Sequence, residues 1–179
     1  MMKYFTLSLL TIVFLSCGEE SKEKKDDTPK ENQEEAQIQN SDQRITAVQI
    51  NNQLSLSQAE AYILIDSLMS MEDLEAATKL IPEIQIEIVA IQKRVEDLDA
   101  NLEGGQAFKQ AVLDQISFID SGLKSDIPAM FEIANSKKEK AKEIADKMYF
   151  NWINKYQEMS HVIIDAQMRF AQKHNIKMN

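Results

Sequence analysis

Nine apolar side chains, Leu74, Ala77, Ile81, Ile84, Ile88, Ile91, Val95, Leu98 and Leu102, recur at steps of three or four residues. An α-helix turns once in about 3.6 residues, so this spacing lays all of them along one helix face. A strand would divide them between two faces. Such a stripe has to be buried against other helices, which makes the chain all-α. The stripe passes Pro82 without losing phase. An interior proline removes one backbone hydrogen bond and crowds the preceding turn, at about 3 kcal/mol. The spacing therefore predicts one helix bent near Pro82. Ser70 with Asp73 reads as a capping box at its start, and Glu103-Gly104-Gly105 as its end.

Three further stripes supply the partners. Leu54, Ala61, Ile65 and Leu68 form the first, which Ala47 and Ile50 extend backwards and Gln58 interrupts. Phe108, Val112, Ile116, Ile119, Leu123, Ile127, Met130 and Ala134 form another, in phase past Gly122 and Pro128. One kinked helix is predicted there; the rival reading is a break, with Gly122 capping one helix and Ser125 opening another. Asn135-Ser136 makes the next corner, with Ser136 and Glu139 as a capping box. The last stripe runs through Ala141, Ile144, Met148, Trp152, Met159, Ile163, Ala166 and Phe170. Short corners between long helices set neighbours antiparallel. Residues 44–176 thus read as an elongated up-down-up-down four-helix bundle with kinked long helices. Its members span about 25–38 residues, or about 40–55 Å.

The residues before the bundle are of another kind. Residues 18–43 hold nine acids and four lysines, with Ala36 and Ile38 as the apolar side chains. That is too little to repay the ordering of the backbone, so a disordered linker is predicted. Ahead of it, Lys3 precedes twelve uncharged residues, Tyr4 to Leu15. As a helix these would cover about 18 Å, short of a hydrocarbon core of about 30 Å. A basic start, a short apolar centre and a small-residue cleavage point describe a secretory leader over residues 1–16.

Cys17 is the one cysteine in the chain. Phe14-Leu15-Ser16-Cys17-Gly18 resembles a bacterial lipobox, in which the cysteine is acylated and becomes the first residue. The resemblance implies a covalent diacylglyceryl and N-acyl lipid on Cys17, with no other cofactor, and a membrane anchored through that lipid. Lys25-Asp26-Asp27 resembles the acidic export signal of Bacteroidota surface lipoproteins. It implies an outer-membrane protein facing outward, with a periplasm-facing anchor as the alternative.

The formal charge is −9 and becomes one unit more negative if Lys3 leaves with the leader. That opposes nucleic-acid binding through a broad basic surface. Glycine-rich phosphate loops, paired cysteines and an HExxH motif do not occur. Glu158 and His161 have the Glu-x-x-His spacing of a di-iron bundle, but that site needs the motif twice. Ala171 stands where a glutamate would have to precede His174. A non-catalytic binding or structural module is the reading, with an accessory subunit of an envelope complex as the alternative. A small metal-dependent oxidoreductase is a weaker third. Phe150, Ile153, Ile86 and Val89 lie off the main stripes. They either bury in a wide-faced bundle or form an apolar strip for self-association or a protein partner.

The stretches GGQAFKQAVLDQISFID (104–120) and AQMRFAQKHNI (166–176) resemble small helical surface lipoproteins of spirochaetes and Bacteroidota. Gly105 and Ile119 stand where that family usually has an acid and a tyrosine. The resemblance implies the helical fold and the envelope location, and it carries no catalytic residues.

Overall fold

A computed structural model of the protein describes residues 45–178. Five helices follow in order: α1 (Ala47–Met69), α2 (Leu74–Asp97), α3 (Gly105–Lys124), α4 (Asp126–Asn135) and α5 (Ala141–Lys173). α3 and α4 are separated by Ser125 alone and together form one rod, so the architecture is an up-down-up-down four-helix bundle. The pairings show the alternation. Lys109 of α3 meets the end of α2, while Asp120 of α3 meets Gln85 further back along α2. Phe108 lies on Phe170, and Phe118 on Trp152, so α3 and α5 also run in opposite directions.

The core lies where the stripes predict. Leu54, Ala61, Ile65 and Leu68 of α1 are buried, as are Ala77, Ile81, Ile88, Ile91 and Val95 of α2. α3 contributes Phe108, Val112, Ile116, Ile119 and Leu123, each almost wholly buried, and it packs on α1, α2 and α5. Two residues depart from their stripes: Ala134 is exposed, and Ile144 lies outside the core, about half exposed.

The helix ends differ from the sequence expectation in three places. α2 stops at Asp97, so Leu98 and Leu102 belong to a connector and not to the helix face. Asp99 there accepts a bond from the Asn101 amide, and Lys109 Nζ caps the end of α2 by donating to the carbonyls of Glu96 and Leu98. Those side-chain bonds offer the backbone an alternative to another turn. Ser70 closes α1 instead of opening α2. Its hydroxyl donates to the Ser67 carbonyl, and Asp73 caps α2 by accepting from the amides of Glu75 and Ala76. Ser136 does not cap α5, which begins after Lys140; its buried hydroxyl has no partner. At the start of α1, Thr46 and Gln49 form a reciprocal capping box.

The third rod is broken at Ser125 (φ −135°, ψ −66°), where one kinked helix was expected. Pro128 has no N–H for the Lys124 carbonyl four residues earlier, and its ring crowds that oxygen. Gly122 and Ser125 weaken the same turn. Pro82 has the same chemistry, yet α2 continues through it.

Polar side chains lock the rods together. Gln115, almost fully buried on α3, donates to Ser160 Oγ (2.7 Å) and accepts from Gln58 on α1 (3.4 Å). Gln167 of α5 donates to Ser55 (2.7 Å) and Asn51 (3.2 Å) on α1. Gln58, which breaks the apolar stripe of α1, is therefore part of a bridge across the bundle. Shifting α5 along α3 would strand the Gln115 amide in an apolar core, at about 1–3 kcal/mol.

Two glycines have contact reasons. A Cβ at Gly105 would fall 2.5 Å from the Ala100 carbonyl oxygen, so the close approach of the connector leaves room only for glycine. A Cβ at Gly122 would fall 2.5 Å from Trp152 Nε1. Gly122→Ala is accordingly expected to lower stability by about 1–3 kcal/mol through overpacking. Chemical denaturation checks this, with Ala129→Gly, which removes a side chain only half buried, as the comparison.

Candidate functional site

Of the four side chains off the stripes, Ile86, Val89 and Phe150 are exposed, at 69%, 50% and 45%, whereas Ile153 packs against the core. Ile86 and Val89 share the outer face of α2 with Pro82. Among the described residues, α2 and α5 do not pack on one another. Ile86 with Val89, and Phe150, are therefore two separate surfaces and not one strip, and Ile153 belongs to the core. The lipobox residues Phe14, Leu15, Ser16, Cys17 and Gly18, and Lys25, Asp26 and Asp27, lie outside the described residues.

Glu158 and His161 are both exposed on α5, and Glu158 pairs with Lys155 at 3.0 Å. Among the described residues, no three His, Cys, Asp or Glu side chains gather closely enough to hold a metal ion. His174 has a different place: its ring lies 4.6 Å from that of Phe170, and Nε2 sits 2.9 Å from the Glu103 carbonyl oxygen. With the Lys173–Glu103 pair (2.9 Å), it clamps the end of α5 to the α2–α3 connector.

An aromatic seam crosses the bundle toward the α1–α2 corner. Trp152 stacks on Phe118 (5.2 Å) and on Tyr156 (5.7 Å), and Tyr156 lies 6.2 Å from Tyr62 of α1. Trp152 Nε1 is buried without a hydrogen-bond partner, turned toward Gly122. Burial, reinforced by the Asp66 carboxylate, pushes the Tyr62 hydroxyl up to about 12. Burial raises Tyr156 further and also raises Tyr149, which Asp66 again reinforces. These phenols are kept neutral, as packing groups.

At the same end, the α4–α5 corner gathers Lys137, Lys138, Lys140, Lys142 and Lys147, all exposed. A shallow depression on the first turns of α5 is lined by Lys140, Lys142 and Lys147 with Phe150 and Asn151, and by Glu143 and Asp146. Phe150 meets Tyr149 edge-on at 5.7 Å. The run Lys-Lys-Glu-Lys-Ala-Lys at 137–142 is the sequence signal for this basic corner, and a turn assignment alone does not capture it. No family model, no curated protein and no solved structure matches the chain.

The phenols give this region a pH signature. Above about pH 10 the unfolded chain ionises its tyrosines while Tyr62 stays protonated to about 12. The unfolded state then binds fewer protons, so stability is full below pH 10 and falls as pH rises through that window. Tyr62→Phe is expected to flatten the fall, measured as the urea midpoint at stepped alkaline pH. An unchanged slope would remove the tyrosine assignment.

Proposed function

We propose that this protein is a lipid-anchored lipoprotein of the cell envelope whose helical bundle is a non-catalytic binding or structural module, displayed outward. The observation that carries the reading is Phe14-Leu15-Ser16-Cys17-Gly18 directly after twelve uncharged residues. Two or more acyl chains on Cys17, at about 0.8 kcal/mol per buried methylene, would hold the chain durably at a bilayer. None of α1 to α5 is long and apolar enough to cross a membrane, so attachment through lipid is consistent with these helices.

Ile45 lies at the end that also carries the α2–α3 connector and the close of α5, because α1 and α5 run antiparallel. The α1–α2 and α4–α5 corners form the opposite end, about 35 Å away along α1 at about 1.5 Å per residue.

Cys17→Ser is expected to move the protein from the membrane fraction to the soluble fraction and to abolish the acyl mass increment of the native protein. Membrane fractionation that survives this change, together with native protein free of acyl groups, would refute the anchor. Protease added to intact cells decides the facing. Cleavage before residue 45 with release of the bundle supports display at the surface; survival supports the periplasm-facing accessory role.

A further inference from the structure

We infer that the outer face of α2 is a self-association surface, on which two copies of this chain pair antiparallel about a two-fold axis level with Ile88. Every residue it uses lies on α2, so it goes beyond the anchor reading and does not rest on it.

Spacing is the first observation. Lys79, Glu83, Ile86, Ala90, Lys93 and Asp97 are all exposed and recur at steps of four, three, four, three and four residues. That is a heptad seam, the pattern by which one helix lies along another. It runs on the side of α2 turned away from the buried Ile88 and Val95. Among the described residues α2 packs on α1, α3 and α4, and the seam stays open to solvent. At its middle Ile86 is 69% exposed, bordered by the exposed Pro82 and Val89. Covering these three side chains removes apolar surface from water.

Charge selects the occupant. From Lys79 to Asp97 the seam reads positive, negative, apolar, apolar, positive, negative. Reversed, it reads negative, positive, apolar, apolar, negative, positive, so it complements itself at every level. An antiparallel two-fold at Ile88 sets Lys79 of one copy opposite Asp97 of the other, Glu83 opposite Lys93, and Ile86 opposite Ala90. Each contact occurs twice, as an isologous interface requires. A parallel pair would stack lysine on lysine and acid on acid at four levels, which is repulsive. A foreign helix would need this same order of charges, whereas a second copy already has it.

The ion pairs within α2 are compatible with this contact. Lys79 meets Glu75 at 2.8 Å, and Lys93 meets Asp97 at 2.9 Å. Both are exposed pairs one turn apart, which hold weakly and leave room for a second partner. In the paired state Asp97 lies between Lys93 of its own helix and Lys79 of the other copy, so charges alternate along the seam. One helix face is at the small end of protein interfaces, which makes the dimer reversible and concentration-dependent.

The test uses the full chain carrying Cys17→Ser, which keeps lipid out of the association, in sedimentation equilibrium up to about 0.5 mM. A monomer–dimer equilibrium is expected. Ile86→Asp should weaken it at least about tenfold, while Ile63→Asp, the same change at an exposed isoleucine of α1, should stay within about twofold. Lys79→Glu should also weaken it about tenfold, since the dimer holds that contact twice, and adding Asp97→Lys should restore it. Urea midpoints check that each variant is folded. Mixed Lys79→Cys and Asp97→Cys chains should form a joint disulfide under air oxidation. Neither should link to itself, because like positions lie about 27 Å apart. The proposal is overturned if the chain stays monomeric, which would leave this face to a different protein, or if Ile63→Asp costs as much as Ile86→Asp. It is also overturned if the double charge reversal fails to recover, or if Lys79→Cys chains link to themselves, the mark of a parallel pair. The anchor is tested through Cys17 and this surface without it, so either can fail alone.

Discussion

The bundle depends on the burial of one face of α3. Phe108, Val112, Ile116, Ile119 and Leu123 are almost wholly removed from water, and α3 packs on α1, α2 and α5. Each such side chain contributes about 1.5–3 kcal/mol when fully buried. The other rods reach that face in different ways. α2 is tied to α3 by Lys109 on its terminal carbonyls, α5 by Trp152 pressed onto Gly122, and α1 by the Gln58–Gln115 bridge. Non-directional burial brings the helices together, and these directional contacts set their alignment.

The two ends of the molecule are built differently. At the end holding Ile45, Phe108, Phe170 and His174 stack in series, and the Lys173–Glu103 pair closes the connector. At the opposite end, Ser136 keeps an unbonded buried hydroxyl, Lys140 holds a left-handed backbone, and five lysines stand without acid partners. Ser136 and Lys140 thus both depart from local rules at this corner.

Charge in this protein therefore has to be read locally. An overall −9 argues against a broad basic face, and it does describe most of the surface. It averages over ion pairs that cancel in place, such as Glu75–Lys79 and Lys93–Asp97, and a corner where they do not. Screening limits the reach of the distant acids to about a Debye length, roughly 8–10 Å, so the corner keeps its own sign.

The helical class and the core were legible in the sequence, because helix periodicity is local. Leu54, Ile88, Ile116 and Ile163 fall inward simply from their spacing. The helix ends were not, since they turn on which partner reaches a free carbonyl or amide. α2 stops at Asp97 because Lys109, twelve residues on, supplies the cap, and Ser70 was assigned to the wrong helix because its hydroxyl could serve either. The same limit hid the role of Gln58, a defect in a stripe until Gln115 is placed beside it. Exposure of Ile86, Val89 and Phe150 likewise depended on which helices become neighbours. By itself the sequence determined periodicity, charge and the Cys17 motif, all properties of adjacent residues. Tertiary structure alone decided which polar groups meet and which lysines remain unpaired, because those depend on distances between residues far apart in the chain.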